Sequence, residues 1–125
     1  MSAFVVASVL ALNVGGVGAQ KRAVLSITGT ASYDINGSPL DLSSSNTTLT
    51  GLNPMAAFTR VDGVNFIGVN PHGSAKYQPA YVRAASGAPA TGTIKAHDVT
   101  ASSGAEVSST TDLSATTFFV EVFGT

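Results

Sequence analysis

The chain has no cysteine and no tryptophan, and only two histidines and two glutamates. Without cysteine there is neither a disulfide framework nor a Cys-based zinc site, so a small stapled scaffold is excluded and the redox compartment stays open. Charge is scarce too: 10% of the 125 residues are Asp, Glu, Lys or Arg, against about 25% in an ordinary soluble domain. The net charge of −1 shows no clustered sign. Lys21-Arg22 is the one basic pair, and Arg60, Lys76, Arg83 and Lys95 stand alone, which argues against phosphate-dominated binding and hence against nucleic acid as a partner. What is abundant is Ser, Thr, Gly and aliphatic residue. A surface this poor in charge resists self-association weakly, which suits a protein covered by neighbours.

The apolar run Phe4 to Val14, with the small residues Val17-Gly18-Ala19 after it, resembles a signal peptide in outline. No Lys or Arg precedes it, however, and it falls short of the about 20 residues that span a bilayer. The expectation is a chain neither secreted by this segment nor held in a membrane. Its length is that of one ordinary domain, able to bury a core without metals or cross-links.

Helix signals are nearly absent, because no window keeps apolar residues at i, i+3, i+4 and i+7 and the punctuation by Gly and Pro is dense. Strand signals replace them. Ala23, Leu25 and Ile27 alternate with Val24, Ser26 and Thr28 at period two, as a half-buried strand does. Thr93 to His97 alternates likewise, and Ala80 to Ala84 is a strand candidate opening just after Pro79. Thr117 to Phe123 is the most β-prone stretch, and with Glu121 facing solvent its core face is Phe118, Val120 and Val122, leaving Phe119 and Phe123 beside the glutamate. Asp62-Gly63, between Ala57–Val61 and Val64–Val69, predicts a type I′ hairpin. Asn36-Gly37 is a second turn or a loop tip. Residues 42–53 read as a long ordered loop or a disordered tip, residues 86–92 as a turn, and residues 99–109 as an extended connection. Without crossover helices the strands must run antiparallel. The expected fold is all-β, an antiparallel β-sandwich or jelly-roll-like barrel of about seven to nine short strands. An apolar strand or arm over residues 1–20 would precede a single sandwich domain over 21–125.

Catalytic and ligand patterns are weak. Gly15-Gly16-Val17-Gly18 completes no phosphate-binding motif and leads into a strand, so a plain turn or hinge is expected. Asp34, Asn36 and Asp41 offer oxygens but match no calcium-loop spacing, and turn-forming side chains explain them better. His97 and Asp98 are adjacent, so on a strand they point to opposite faces and form no base-and-orienter pair; His72 lies in a loop. Nothing in the sequence pairs Glu106 with Glu121 across a cleft as a glycosidase requires. Asn46-Thr47-Thr48 fits the glycosylation triplet, which arises often by chance in a Ser/Thr-rich chain. Tyr33, Tyr77 and Tyr81 would be the residues of a sugar-stacking platform, so a secreted carbohydrate-binding module is an alternative. No catalytic residue, metal site or cofactor is expected.

Three blocks carry a resemblance. Lys21-Arg22-Ala23-Val24-Leu25-Ser26-Ile27-Thr28-Gly29-Thr30-Ala31-Ser32-Tyr33, Asn36-Gly37-Ser38-Pro39-Leu40-Asp41-Leu42, and Thr111-Asp112-Leu113-Ser114-Ala115-Thr116-Thr117 leading into Phe118 to Gly124 together resemble small tailed-bacteriophage virion structural proteins of the capsid decoration or cement type. The resemblance implies a non-enzymatic component that stabilises the phage head. It also implies a place on the capsid surface after synthesis in the host cytoplasm, the major capsid protein as partner, and self-association as a trimer or dimer. A tail, neck or fibre-base subunit is the alternative within the virion. The expected assembly contact is Phe4, Val5, Val6, Val9, Leu10, Leu12 and Val14, added as an edge strand to a neighbour. The same residues would equally serve as the first core strand of their own domain.

Overall fold

In a computed structural model, which describes residues 3–15, 20–74, 76–83, 90–100 and 104–125, seven strands form two antiparallel sheets. They are β1 (Val5–Asn13), β2 (Lys21–Thr28), β3 (Ser38–Asp41), β4 (Val61–Asn70), β5 (Tyr77–Arg83), β6 (Thr91–Asp98) and β7 (Thr117–Gly124). Sheet A has the order β1-β2-β7-β4 and sheet B the order β3-β6-β5. This is the all-β, sandwich-like architecture that the period-two pattern predicts.

The centre of sheet A is its most regular part. β2 and β7 pair without a register shift from Lys21↔Gly124 to Thr28↔Thr117. Ala23, Leu25 and Ile27 of β2 and Phe118, Val120 and Val122 of β7 are all buried, in the phase read from the sequence. The flanking strands are irregular: β1 slips against β2 between Val6 and Ser8 and between Val9 and Ala11. β4 slips against β7 between Val61 and Gly63 and between Phe66 and Gly68. Each slip inserts one unpaired residue, namely Ala7, Leu10, Asp62 and Ile67, and such bulges bend an edge strand and increase its twist.

The Asp62-Gly63 hairpin is not formed. Both residues lie inside β4, and Gly63 pairs with Phe123 of β7. The glycine leaves room for a ring: a Cβ on Gly63 would sit 2.5 Å from the tip of the Phe123 ring, which would have to move. The stretch before it turns instead toward the chain end, with Thr59 N donating to Thr125 O at 2.7 Å. Long-range pairing with β7 outcompetes the local turn. The Asn36-Gly37 pair does turn: both residues have positive φ, 74° and 117°, and Gly37 N donates to Asp34 O at 2.9 Å.

The Ser/Thr/Asn-rich stretch is an ordered helix, α1 (Thr47–Leu52), followed by a 3₁₀ turn at Pro54–Ala56. Asn46 caps α1: its side-chain oxygen accepts from Leu49 N at 3.1 Å and its amide donates to Asp41 O at 2.7 Å. Leu49 is buried and anchors the helix to the core. With one buried apolar side chain in six residues, α1 has no periodic stripe to read, and its cap and tertiary packing hold it.

In sheet B, Pro39 and Pro79 sit in the edge strands β3 and β5, where a missing N–H is tolerated. Of the expected connection over 99–109, the described residues 104–107 fold back on β6, with Val107 N donating to Ala96 O and Asp98 N to Ala105 O. The expected turn over 86–92 falls largely outside the described residues, as does Ala84. The lead into β1 touches the other sheet, Phe4 N donating to Pro39 O at 2.9 Å. Phe118 fills the space between the sheets, with Phe4 at 6.4 Å and Phe66 edge-on at 6.0 Å between ring centroids.

Candidate functional surface

The chemistry-bearing side chains mostly hold the backbone. Tyr33 is fully buried, its hydroxyl donating to Glu106 Oε2 at 2.5 Å and accepting from Ala96 N at 3.0 Å. Glu106 Oε2 also accepts from Asn36 N at 2.6 Å, and Lys95 Nζ lies 3.9 Å from Oε1. The edge of β6 that faces β3 has a gap between the Ser38↔Ile94 pair and the His97↔Glu106 bridge. The Tyr33 phenol occupies that gap and satisfies the Ala96 amide that no strand reaches. Burial, then the bond to Glu106, pushes the phenol far above its ordinary pKa.

Three of the remaining carboxylates make local turns. Asp41 Oδ1 accepts from Ser43 N at 2.8 Å and from its hydroxyl at 2.6 Å; Asp98 and Asp112 do the same for Thr100 and Ser114. Among the described residues no three His, Asp or Glu side chains gather to hold a metal ion. His97 and Asp98 alternate on β6, and His72 begins the 3₁₀ turn His72–Ser74. Glu106 belongs to sheet B and Glu121 to sheet A, so they share no cleft. Of the three tyrosines, Tyr33 has no exposure, while Tyr77 and Tyr81 pack partly on the core and the Tyr81 hydroxyl is itself buried. They form no common platform. The glycosylation triplet begins at the capping residue Asn46, whose amide is engaged. The glycine run at 15–18 lies outside the described residues apart from Gly15.

The seven apolar residues near the start divide by direction. Phe4 and Val6 are buried in this chain's own core, and Val9 and Leu12 pack partly against it. Val5, Leu10 and Val14 are 48%, 55% and 45% exposed. β1 pairs on one side only, with β2, and it lies in a stretch from Met1 to Gln20 that contains no charged residue. Native edge strands are usually guarded by charge; this one has two bulges, and α1 beside its first residues, in place of charge.

The two sheets also differ on their outward faces. Among the paired outward positions of sheet A only Arg22 and Glu121 are charged, and they are diagonal neighbours with N–O 3.7 Å. Beside them are Val24 and the half-buried rings of Phe119 and Phe123, which lie over Gly68 and Gly63 of the edge strand β4. Sheet B instead points Asp41, Lys95, His97 and the bridging Glu106 outward. The signal for the outward face of sheet A is in the sequence, in the alternation of Phe119 and Phe123 about Glu121 along one strand; the glycines opposite them carry no such signal, because the local turn chemistry of Asp62-Gly63 points to a hairpin instead of to pairing with β7. No family model matches this chain, and no curated protein and no solved structure matches it.

Proposed function

We propose that the chain is a non-enzymatic structural subunit of a tailed-phage particle, a decoration or cement component bound to the major capsid protein and to copies of itself on the capsid surface. The observation that carries this reading is the edge of sheet A, an uncharged strand with Val5, Leu10 and Val14 projecting into solvent. The three sequence blocks that resemble virion structural proteins support it independently. Burying each of those half-exposed side chains against a shell contributes about 1 kcal/mol, and a lattice repeats the contact many times. The bulges at Ala7 and Leu10 interrupt the outer ladder of β1, so the contact relies on projecting side chains more than on one long added strand.

Locating the chain in purified tailed-phage particles by cryo-EM tests the proposal. Density on the capsid lattice is the expected result, density on the tail axis would make it a tail or neck subunit, and absence from particles would overturn it. Leu10→Asp changes an exposed bulge residue, so the fold is expected to melt as the wild type does while incorporation falls about tenfold or more.

A further inference from the structure

We infer that the outward face of sheet A is an interface between two copies of this chain, packed face to face about a two-fold axis. At its paired positions the face is neutral, and the one cation and one anion there are diagonal neighbours on adjacent strands, Arg22 on β2 and Glu121 on β7. A two-fold axis lying in the interface plane between them places Arg22 of each copy over Glu121 of the other, turning one intramolecular pair into a closed set of four alternating charges. Isologous interfaces demand this self-complementarity. Sheet B also has an outward pair, Lys95 and Glu106, but Glu106 is held by Tyr33 and Asn36 and Asp41 adds a second outward anion, so that face is not self-complementary.

The surroundings of the pair fit the same use. Phe119 and Phe123 flank Glu121, half-buried by lying over Gly68 and Gly63, so flat ring area is presented with little side-chain freedom left to lose. Ser8 and Ser26 bond each other at 2.5 Å across the β1–β2 pair, so their hydroxyls are already satisfied when water leaves. Arg22 and Glu121 are 56% and 32% exposed, so both have freedom to reach a partner. Four strands of about eight residues cover about 500 Å² per copy, or about 1,000 Å² for two before side-chain relief is added. That is just below the range of stable specific interfaces, about 1,200 to 2,000 Å², so a weak, reversible dimer is expected.

The inference rests on the assembly reading only in taking the chain to work among its own copies. Sedimentation of the full chain over a dilution series up to about 1 mM tests it. A reversible dimer is expected in the wild type. Arg22→Glu and Glu121→Arg should each weaken it about tenfold or more by setting like charges together, and the double swap should recover most of the loss. Asn65→Arg, at an exposed position on the same face, serves as a second probe should either charge variant fold poorly, and it should also weaken the dimer. A wild type monomeric throughout, variants that dimerise as it does, or a double swap no better than its parents would each overturn the interface. A dimer without incorporation into particles would sink the virion reading and leave this face standing; incorporation of a chain monomeric in solution would do the reverse.

Discussion

At the scale of single residues, Tyr33 is the side chain on which most local structure depends. Tyr33→Phe removes a hydroxyl that serves both Glu106 and the Ala96 amide and leaves both short of a partner. The expected cost is about 1–3 kcal/mol in urea unfolding. Its raised pKa gives a pH dependence of definite sign. The folded chain keeps a proton that the unfolded chain loses near pH 10, so stability is whole below that pH and declines as pH rises through and beyond it. Alkaline titration followed by phenolate absorbance should show Tyr33 ionising only as the chain unfolds. Glycines make a second contrast: a Cβ on Gly124 would run into the Arg60 carbonyl, whereas one on Gly51, in α1, meets nothing within 4 Å. Gly124→Ala should therefore destabilise by about 1–3 kcal/mol, and Gly51→Ala should stabilise by about 0.5–1 kcal/mol, read as opposite shifts of the urea midpoint.

Among the elements, those bound by alternation were legible and those bound by single contacts were not. β2 and β7 alternate over their whole length, so their inward residues could be named from sequence. Asp62-Gly63 carries the strongest local turn signal, yet its glycine answers to the Phe123 ring on another strand, and no local rule contains that ring. α1 was invisible for the opposite reason, since one buried leucine and a capping asparagine make no period. Asn46→Ala should cost about 1 kcal/mol, up to about 2 because the bond to Asp41 O is lost as well, with the loss visible as earlier amide exchange over 47–52. The candidate surface was half legible. The apolar start was evident, but which of its residues turn outward is decided by bulges that shift the phase of β1 twice.

For the whole molecule, the inner face of sheet A carries one aromatic cluster, Phe118 with Phe4 and Phe66. Phe118→Ala opens a cavity between the layers and should cost about 3–5 kcal/mol, a large part of the total of about 5–15 kcal/mol usual for a domain. Thermal unfolding followed by near-UV circular dichroism reads the loss. The unbroken β2–β7 register carries a kinetic consequence as well. Lys21 and Gly124 are neighbours in space but lie at opposite ends of most of the chain, so the central pair cannot zip from an adjacent turn. A diffusive search by distant segments must succeed first, and its entropy is lost before any ladder bond forms. Refolding on the millisecond-to-second scale follows, slower than local antiparallel pairs such as β1–β2 and β5–β6 would allow, with the apolar inner face of β1–β2 uncovered until that search ends.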